Sequence, residues 1–346
     1  MKNKILAIFL AVALVAAALS AACAPAPPEV IEITFAGFTP PGTVPAYNLD
    51  RWAEEVGTRT GGKVKVTVFH AASLLNPKNM MEGIIEGVAG AGTMVLAYTP
   101  GRFPLLEIVD QPHGWTHTVV SSRALWDLYN KFKPASFADV KVLFLYTSTV
   151  GKDAAGFYTK FPVRTIVDLK GHELRATGVG SKALELLGGT PVAMPMPEVY
   201  EALAKGIVEG VYTGFDILKG YNHAELIDYV TEAPAPPASF YGAMNLDTWN
   251  ALPKDVQKVI DELGEEHSIW CAEVFHRTAL EGYKYAIEVE GAEAIIMSEA
   301  EKARMMELFK PLVGDYLANT ASLGLPGQEV LDEMYRLKAK YEAMYK

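Results

Sequence analysis

The chain has 346 residues, 50% hydrophobic and 21% charged, with 31 Lys and Arg against 41 Asp and Glu for a formal charge of −10. That acidity argues against a nucleic-acid binder, whose phosphate partner needs a basic footprint. The length exceeds what one core supports, so two domains are expected.

Met1 to Lys4 is basic, Ile5 to Ala22 is uncharged and apolar, and Ser20-Ala21-Ala22 sets small residues before Cys23. This is the form of a secretory signal peptide. The Cys after the small residues resembles a bacterial lipoprotein signal, cut after residue 22 and acylated on Cys23. Leu19 stands one position further from the Cys than the usual lipobox leucine. The alternatives are a plain secreted protein or an uncleaved anchor, since the apolar run is just long enough to span a bilayer. Loss of residues 1–22 removes Lys2 and Lys4, leaving 29 basic against 41 acidic residues and a formal charge of −12. Residues 23–30, with Pro25, Pro27 and Pro28, then read as a semi-rigid tether. With Cys23 lipidated, Cys271 is left without an intrachain disulfide partner, and beside Trp270 in a helical pattern it reads as a buried, inert thiol.

Beyond the tether, Ile31 to Phe38 reads as a strand and Tyr47 to Thr60 as a helix. Lys63 to Phe69 alternates Val64, Val66 and Val68 with polar residues, a strand with one buried face. A helix over Met80 to Gly87, a strand over Thr93 to Ala97, a helix over Ser121 to Phe132 and a strand over Lys141 to Tyr146 follow. Such alternation predicts an α/β fold with a mostly parallel core. Glu82 to Val88 matches Glu201 to Ile207 at a spacing of 119, in each case a helix ending in glycine before a strand. Either two αβ turns are alike by chance, or each half sends a comparable strand to a shared interface. Asp255 to Val289 keeps 3–4 spacing of apolar residues, a helix of roughly 50 Å that would lie across both domains, with Gly264 and Gly282 as points where it could break.

Chemistry-bearing motifs are sparse. There is no HExxH, GxSxG or GxxxxGK[ST]. Gly87 to Gly92 is glycine-rich but precedes a strand, so turn and cap roles outweigh a phosphate loop. His113 and His117 flank Trp115 without a Cys or carboxylate to complete a metal set, so neither a metal nor a cofactor is expected. Asp168 to Gly178 is more informative. Gly171 turns the chain, His172 to Ala176 is a short strand, and Gly178-Val-Gly180 leads into a helix over Ser181 to Leu187. Arg175 therefore sits near the carboxyl end of a strand, where open α/β sheets bind ligands, and a guanidinium there can grip a carboxylate through two hydrogen bonds. From spacing alone, a surface Arg paired with Glu173 or Glu185 outweighs that reading.

The run Arg175-Ala-Thr-Gly178, then Pro191-Val-Ala-Met-Pro-Met-Pro-Glu198 through Gly206-Ile-Val-Glu-Gly210, resembles the solute-binding proteins of tripartite ATP-independent periplasmic (TRAP) transporters, of the DctP type. Thr60 to Val66, Pro100 to Pro104, Pro162 to Gly171 and Leu252 to Lys258 agree in order. The resemblance implies a periplasmic-binding-protein-like (type II) fold. Its two α/β domains would be residues 31–151 plus about 240–280, and 152–239 plus about 281–346, braced by the long helix and closing on an organic acid. It implies Arg175 as the carboxylate-binding arginine, no cofactor, small and large TRAP membrane subunits as partners, and a periplasmic or cell-surface location with the lipid on Cys23 as anchor. The family's asparagine falls at Thr213, its second arginine at about Ala155, and an aromatic at Met196. Tyr98 falls at a polar ligand contact, and Phe157, Phe215, Phe240 and Tyr241 lie close to lining positions. Together they imply a pocket for a monocarboxylate with an apolar or aromatic body, which another basic residue such as Lys152 or Lys219 could alter. A lyase or isomerase, or a ligand sensor, reusing the same cleft are the rival functions.

Overall fold

The computed structural model describes residues 30–152 and 154–345; the signal segment, Cys23 and the tether up to residue 29 lie outside the described residues. Two sheets carry the fold. The first contains β1 (Ile31–Ala36), β2 (Val64–Phe69), β3 (Ala91–Val95), β4 (Val140–Thr147) and β10 (Ser239–Asn245), in the order β2-β1-β3-β10-β4. The second contains β5 (Ala155–Thr159), β6 (Glu173–Arg175), β7 (Thr190–Val192), β8 (Gly210–Gly214), β9 (Tyr229–Glu232) and β11 (Glu293–Ile296), in the order β11-β9-β5-β8-β6-β7. β3, β5 and β10 are buried at every position, so they are written in apolar, small and uncharged residues without alternation. The edge strand β2 keeps alternation, with Val64 buried and Lys65 and Thr67 exposed.

The expected parallel core is corrected to two mixed sheets. β1 runs parallel to β3, but β10 runs antiparallel to both β3 and β4. In the second sheet β6 is parallel to β7 and β8, while β5 is antiparallel to β8 and β9. β5 and β10 each follow a passage of the chain from the other sheet. No local βα crossover feeds them, so nothing requires them to run parallel.

Helices α1 (Val44–Arg59), α2 (Met80–Ile85), α3 (Thr118–Phe132), α4 (Val179–Leu186), α5 (Val199–Ala204), α6 (Ile217–Gly220), α7 (Leu246–Ala251), α8 (Lys254–Glu288), α9 (Glu299–Ser322) and α10 (Gly327–Glu342) complete the fold. α1 opens on a proline in its first turn, where no amide partner is lost, and buries Leu49, Trp52 and Val56. The 119-residue repeat is structural. α2 leads to β3 through Gly87 (φ 75°) and α5 leads to β8 through Gly206 (φ 71°), one unit in each sheet.

α8 runs unbroken for 35 residues, about 50 Å at 1.5 Å per residue. Its glycines are close contacts, not breaks. A Cβ at Gly264 would lie 2.6 Å from the Trp126 ring and 3.0 Å from the Leu143 carbonyl, beside the first sheet. One at Gly282 would lie 2.3 Å from the Phe215 carbonyl, beside the second. The C-terminal helix differs from the expectation that residues 281–346 all accompany the second sheet. α9 packs on α4, but α10 returns to α3, where Tyr341 Oη donates to Asp127, Lys131 meets Glu333 at 3.0 Å, and the Arg123 guanidinium lies over the Tyr341 ring. Cys271 is fully buried, and burial pushes its thiol well above the ordinary range. Among the described residues no helix is long and apolar enough to cross a membrane.

Candidate ligand-binding site

A cavity opens between the two sheets, where β3, β6, β8 and β10 end or turn. Its free volume is about 50 Å³, enough for a few waters. The first sheet supplies an aromatic wall. Phe38 follows β1, Tyr98 ends the single helical turn after β3, and Phe240 lies on β10, with Phe275 of α8 behind it. Phe38 meets Tyr98 edge-on at 5.8 Å and stacks on Phe240 at 6.5 Å, and Phe240 tilts against Phe275 at 5.6 Å. Rings so interlocked form a rigid apolar surface.

The second sheet supplies the polar wall. Arg175 closes β6, and the Gly178 turn (φ 54°) that follows places its side chain inward, 4% exposed. Its Nε and Nη2 donate to the Met194 carbonyl at 3.0 and 2.9 Å, and Nη2 also donates to Tyr98 Oη at 3.1 Å. Tyr98 Oη in turn accepts the Met196 amide at 2.9 Å, so this phenol ties one sheet's loop to the other's. Among the described residues Arg175 has no carboxylate partner, and its Nη1 has no acceptor. A buried guanidinium without a counter-charge is costly. The geometry therefore calls for an anion.

Neighbouring groups leave that charge unshared. His223, fully buried and bonded through Nδ1 to Tyr158 Oη at 3.1 Å, is held down to about 3 by burial and then by the Arg175 charge. The Tyr158 and Tyr221 phenols are pushed up, chiefly by burial. Lys152 lines a different cavity and Lys219 lies over the Tyr285 ring, so neither enters this one. The position of the family's second arginine, Ala155, is buried in β5 opposite Gly214 and carries no charge. Asp216 is the acidic group in the lining, 5% exposed, with its carboxyl raised to about 6 by burial against the lowering effect of the Thr149 hydroxyl.

Of the residues singled out from sequence, Arg175, Tyr98, Met196, Thr213 and Phe240 line the cavity. Phe157, Phe215 and Tyr241 do not, each for a physical reason. Phe157 is paired across the ladder with Tyr212, stacks on it at 4.4 Å and is sealed beneath the second sheet. Phe215 is fully buried against Tyr283 under α8. Tyr241 is next to Phe240 on β10 and so points to the opposite face, among Phe103 and Phe137. The sequence reading missed Phe38, Asp216, Ile217, Tyr221 and the Pro236-Pro237-Ala238 crossing. A lone acid in the apolar run Val211 to Leu218 was the available signal for Asp216.

Comparison with known proteins is consistent with this geometry. Residues 35–319 match the family model DctP, bacterial extracellular solute-binding protein, family 7. A TRAP periplasmic solute-binding protein of Desulfovibrio salexigens, in an open complex with a symmetry mate's C-terminus in its ligand site, is 39% identical, with a TM-score of 0.80 over 90% of this chain and 97% of that one. A marine metagenome TRAP protein specific for aromatic acid ligands, in complex with metahydroxyphenylacetate, is 27% identical with a TM-score of 0.84 over 90% and 99%. A monocarboxylate 2-oxoacid-binding periplasmic protein of Nostoc is 25% identical over 219 residues, 60% of this chain and 58% of that one.

Proposed function

The chain belongs to bacterial extracellular solute-binding protein family 7, and from that premise we propose that it is the receptor of a TRAP transporter for an organic acid with one carboxylate and an apolar or aromatic body. The observation that carries this reading is the buried Arg175, without a carboxylate partner among the described residues, facing a wall of Phe38, Tyr98 and Phe240. One cation neutralises one carboxylate, and a second carboxylate would be buried without a partner. The aromatic-acid complex of the metagenome relative and the 2-oxoacid binding of the Nostoc relative point to the same class.

Capture works by domain closure. The two sheets act as lobes built around residues 31–151 and 152–239, and an acid that bridges Arg175 and the aromatic wall shifts the open–closed equilibrium toward closure. The ties already made across the cleft fit a closed state: Tyr98 to Arg175, Lys182 to Glu107 at 3.2 Å, and Gly178 against Ala97. The open Desulfovibrio relative also overlays less well than the ligand-bound metagenome relative despite its higher identity. Delivery is to small and large membrane subunits, from a protein held at the periplasmic or cell-surface side by lipid on Cys23. A thermal-shift screen of organic acids tests the reading. An acid present at a hundred times its Kd should stabilise the fold by about 2.7 kcal/mol. A screen in which no carboxylic acid raises the melting temperature rejects it.

A further inference from the structure

Asp216 has no part in carboxylate capture, yet its surroundings are constructed. Thr149 Oγ1 donates to its Oδ1 at 2.7 Å, with the Phe275 carbonyl a second acceptor for the same hydroxyl at 3.3 Å. Gly214 leaves room for this seat, since a Cβ there would lie 2.6 Å from Asp216 Oδ1 and 2.8 Å from Thr149 Cβ. Thr149 belongs to the first passage between the sheets and Asp216 to the turn after β8, so the pair sits where the lobes join. Besides Thr149, the Asp216 amide itself bonds the carboxyl; Oδ2 accepts nothing from another described residue, and the residue lines the cavity. Its carboxyl makes no ion pair with Arg175 or with any other described cation.

We infer that Asp216 is a second polar anchor of the site, and that the acid it selects carries a hydrogen-bond donor, a hydroxyl or an ammonium group, on its body apart from the carboxylate. The inference rests on the receptor reading above. The cavity then offers one cation, one acceptor and an aromatic wall. An unsubstituted aromatic acid satisfies Arg175 but leaves a buried carboxyl facing an apolar ring, whereas a donor-bearing acid satisfies both. Sites built to hydrogen-bond a substrate group discriminate strongly against the analogue lacking it, because the buried protein group is then unpaired.

Calorimetry on the full mature chain with phenylacetate, its 2-, 3- and 4-hydroxy and 3-amino derivatives, mandelate and phenylglycine is the test, repeated on Asp216→Asn and Asp216→Leu. In the wild type at least one donor-bearing acid should bind tenfold or more tighter than phenylacetate. Asp216→Leu should erase that advantage, bringing the donor-bearing acid to within threefold of phenylacetate in the same variant. Asp216→Asn keeps an acceptor and should retain part of a hydroxyl advantage but lose an ammonium advantage, which distinguishes the two donors and covers the case in which Asp216→Leu fails to fold. The inference is overturned if no substituted acid outcompetes phenylacetate in the wild type, or if the advantage survives intact in the variants. Absence of binding by every acid would instead overturn the receptor reading itself.

Discussion

The two walls of the cavity are built by opposite means. The wall from the first sheet is area: Phe38, Tyr98 and Phe240, backed by Phe275, packed ring on ring with one phenol as its polar contact to the facing wall. The wall from the second sheet is polar: Arg175 and Asp216, both nearly sealed and neither in an ion pair among the described residues. On the proposed function, the polar wall selects the ligand's functional groups and the aromatic wall selects the body that carries them. Variants that touch one wall should therefore fail in a different way from those that touch the other.

The largest effect should come from Arg175→Ala. Removing one partner of a buried pair costs about 3–5 kcal/mol and each 1.4 kcal/mol is tenfold in affinity, so acid binding should weaken a hundredfold or more by calorimetry. The ligand-free protein should lose little stability in a denaturant melt, about 1 kcal/mol or less, because the burial cost of an unpaired guanidinium disappears with the side chain. Affinity within threefold of wild type would remove Arg175 from the site. Tyr98→Phe should come next. It leaves the Met196 amide and one Arg175 edge without an acceptor, a loss of about 1–3 kcal/mol that should appear as weaker binding of every acid alike. Phe240→Leu should cost less, about 0.5–1.5 kcal/mol for an aromatic contact, and should fall on aromatic acids while sparing aliphatic ones. Equal losses for both kinds of acid would mean that the first wall does not read the ligand's body.

The last effect is on the pH dependence of stability. Burial holds His223 and His267 down to about 3 and His113 and His276 to about 4. Each is below its unfolded value near 6.5, so the folded state binds fewer protons and stability is lost as pH falls below about 6.5. Asp110, raised to about 8 by burial, and Asp216, raised to about 6, act in the opposite sense, losing stability as pH rises from about 4 toward those values. Four histidines outweigh two carboxyls on the acid side, and Asp110 dominates above neutrality. The urea midpoint of the ligand-free protein should peak between about pH 6 and 7, and Asp110→Asn should flatten the decline toward pH 8. A midpoint that rises steadily from pH 5 to 8 contradicts this.

Much of this arrangement is legible in the sequence. Arg175 is placed by the strand between Gly171 and Gly178, α8 by its 3–4 spacing, and the paired α2–β3 and α5–β8 units by the Glu82 and Glu201 repeat. These are local patterns, and local patterns survive in one dimension. What was hidden depends on passages between sheets. The antiparallel insertion of β5 and β10 leaves no periodic trace. β10 is buried on both faces, so its sequence gives no alternation to tell Phe240 from Tyr241. Asp216 stood in view as a lone acid in an apolar run, but its seat comes from Thr149, which lies far away in sequence and is brought near by the first passage.

If a single buried arginine facing an aromatic wall selects acids with one carboxylate, the number of carboxylates on the ligand decides affinity. Calorimetry of the wild-type mature protein against phenylacetate, its hydroxy derivatives, branched 2-oxo acids, succinate, malate and sialic acid tests it most directly. An aromatic or branched monocarboxylate should bind at least a hundredfold tighter than either dicarboxylate or the sugar acid. Tightest binding by succinate, malate or sialic acid would contradict it.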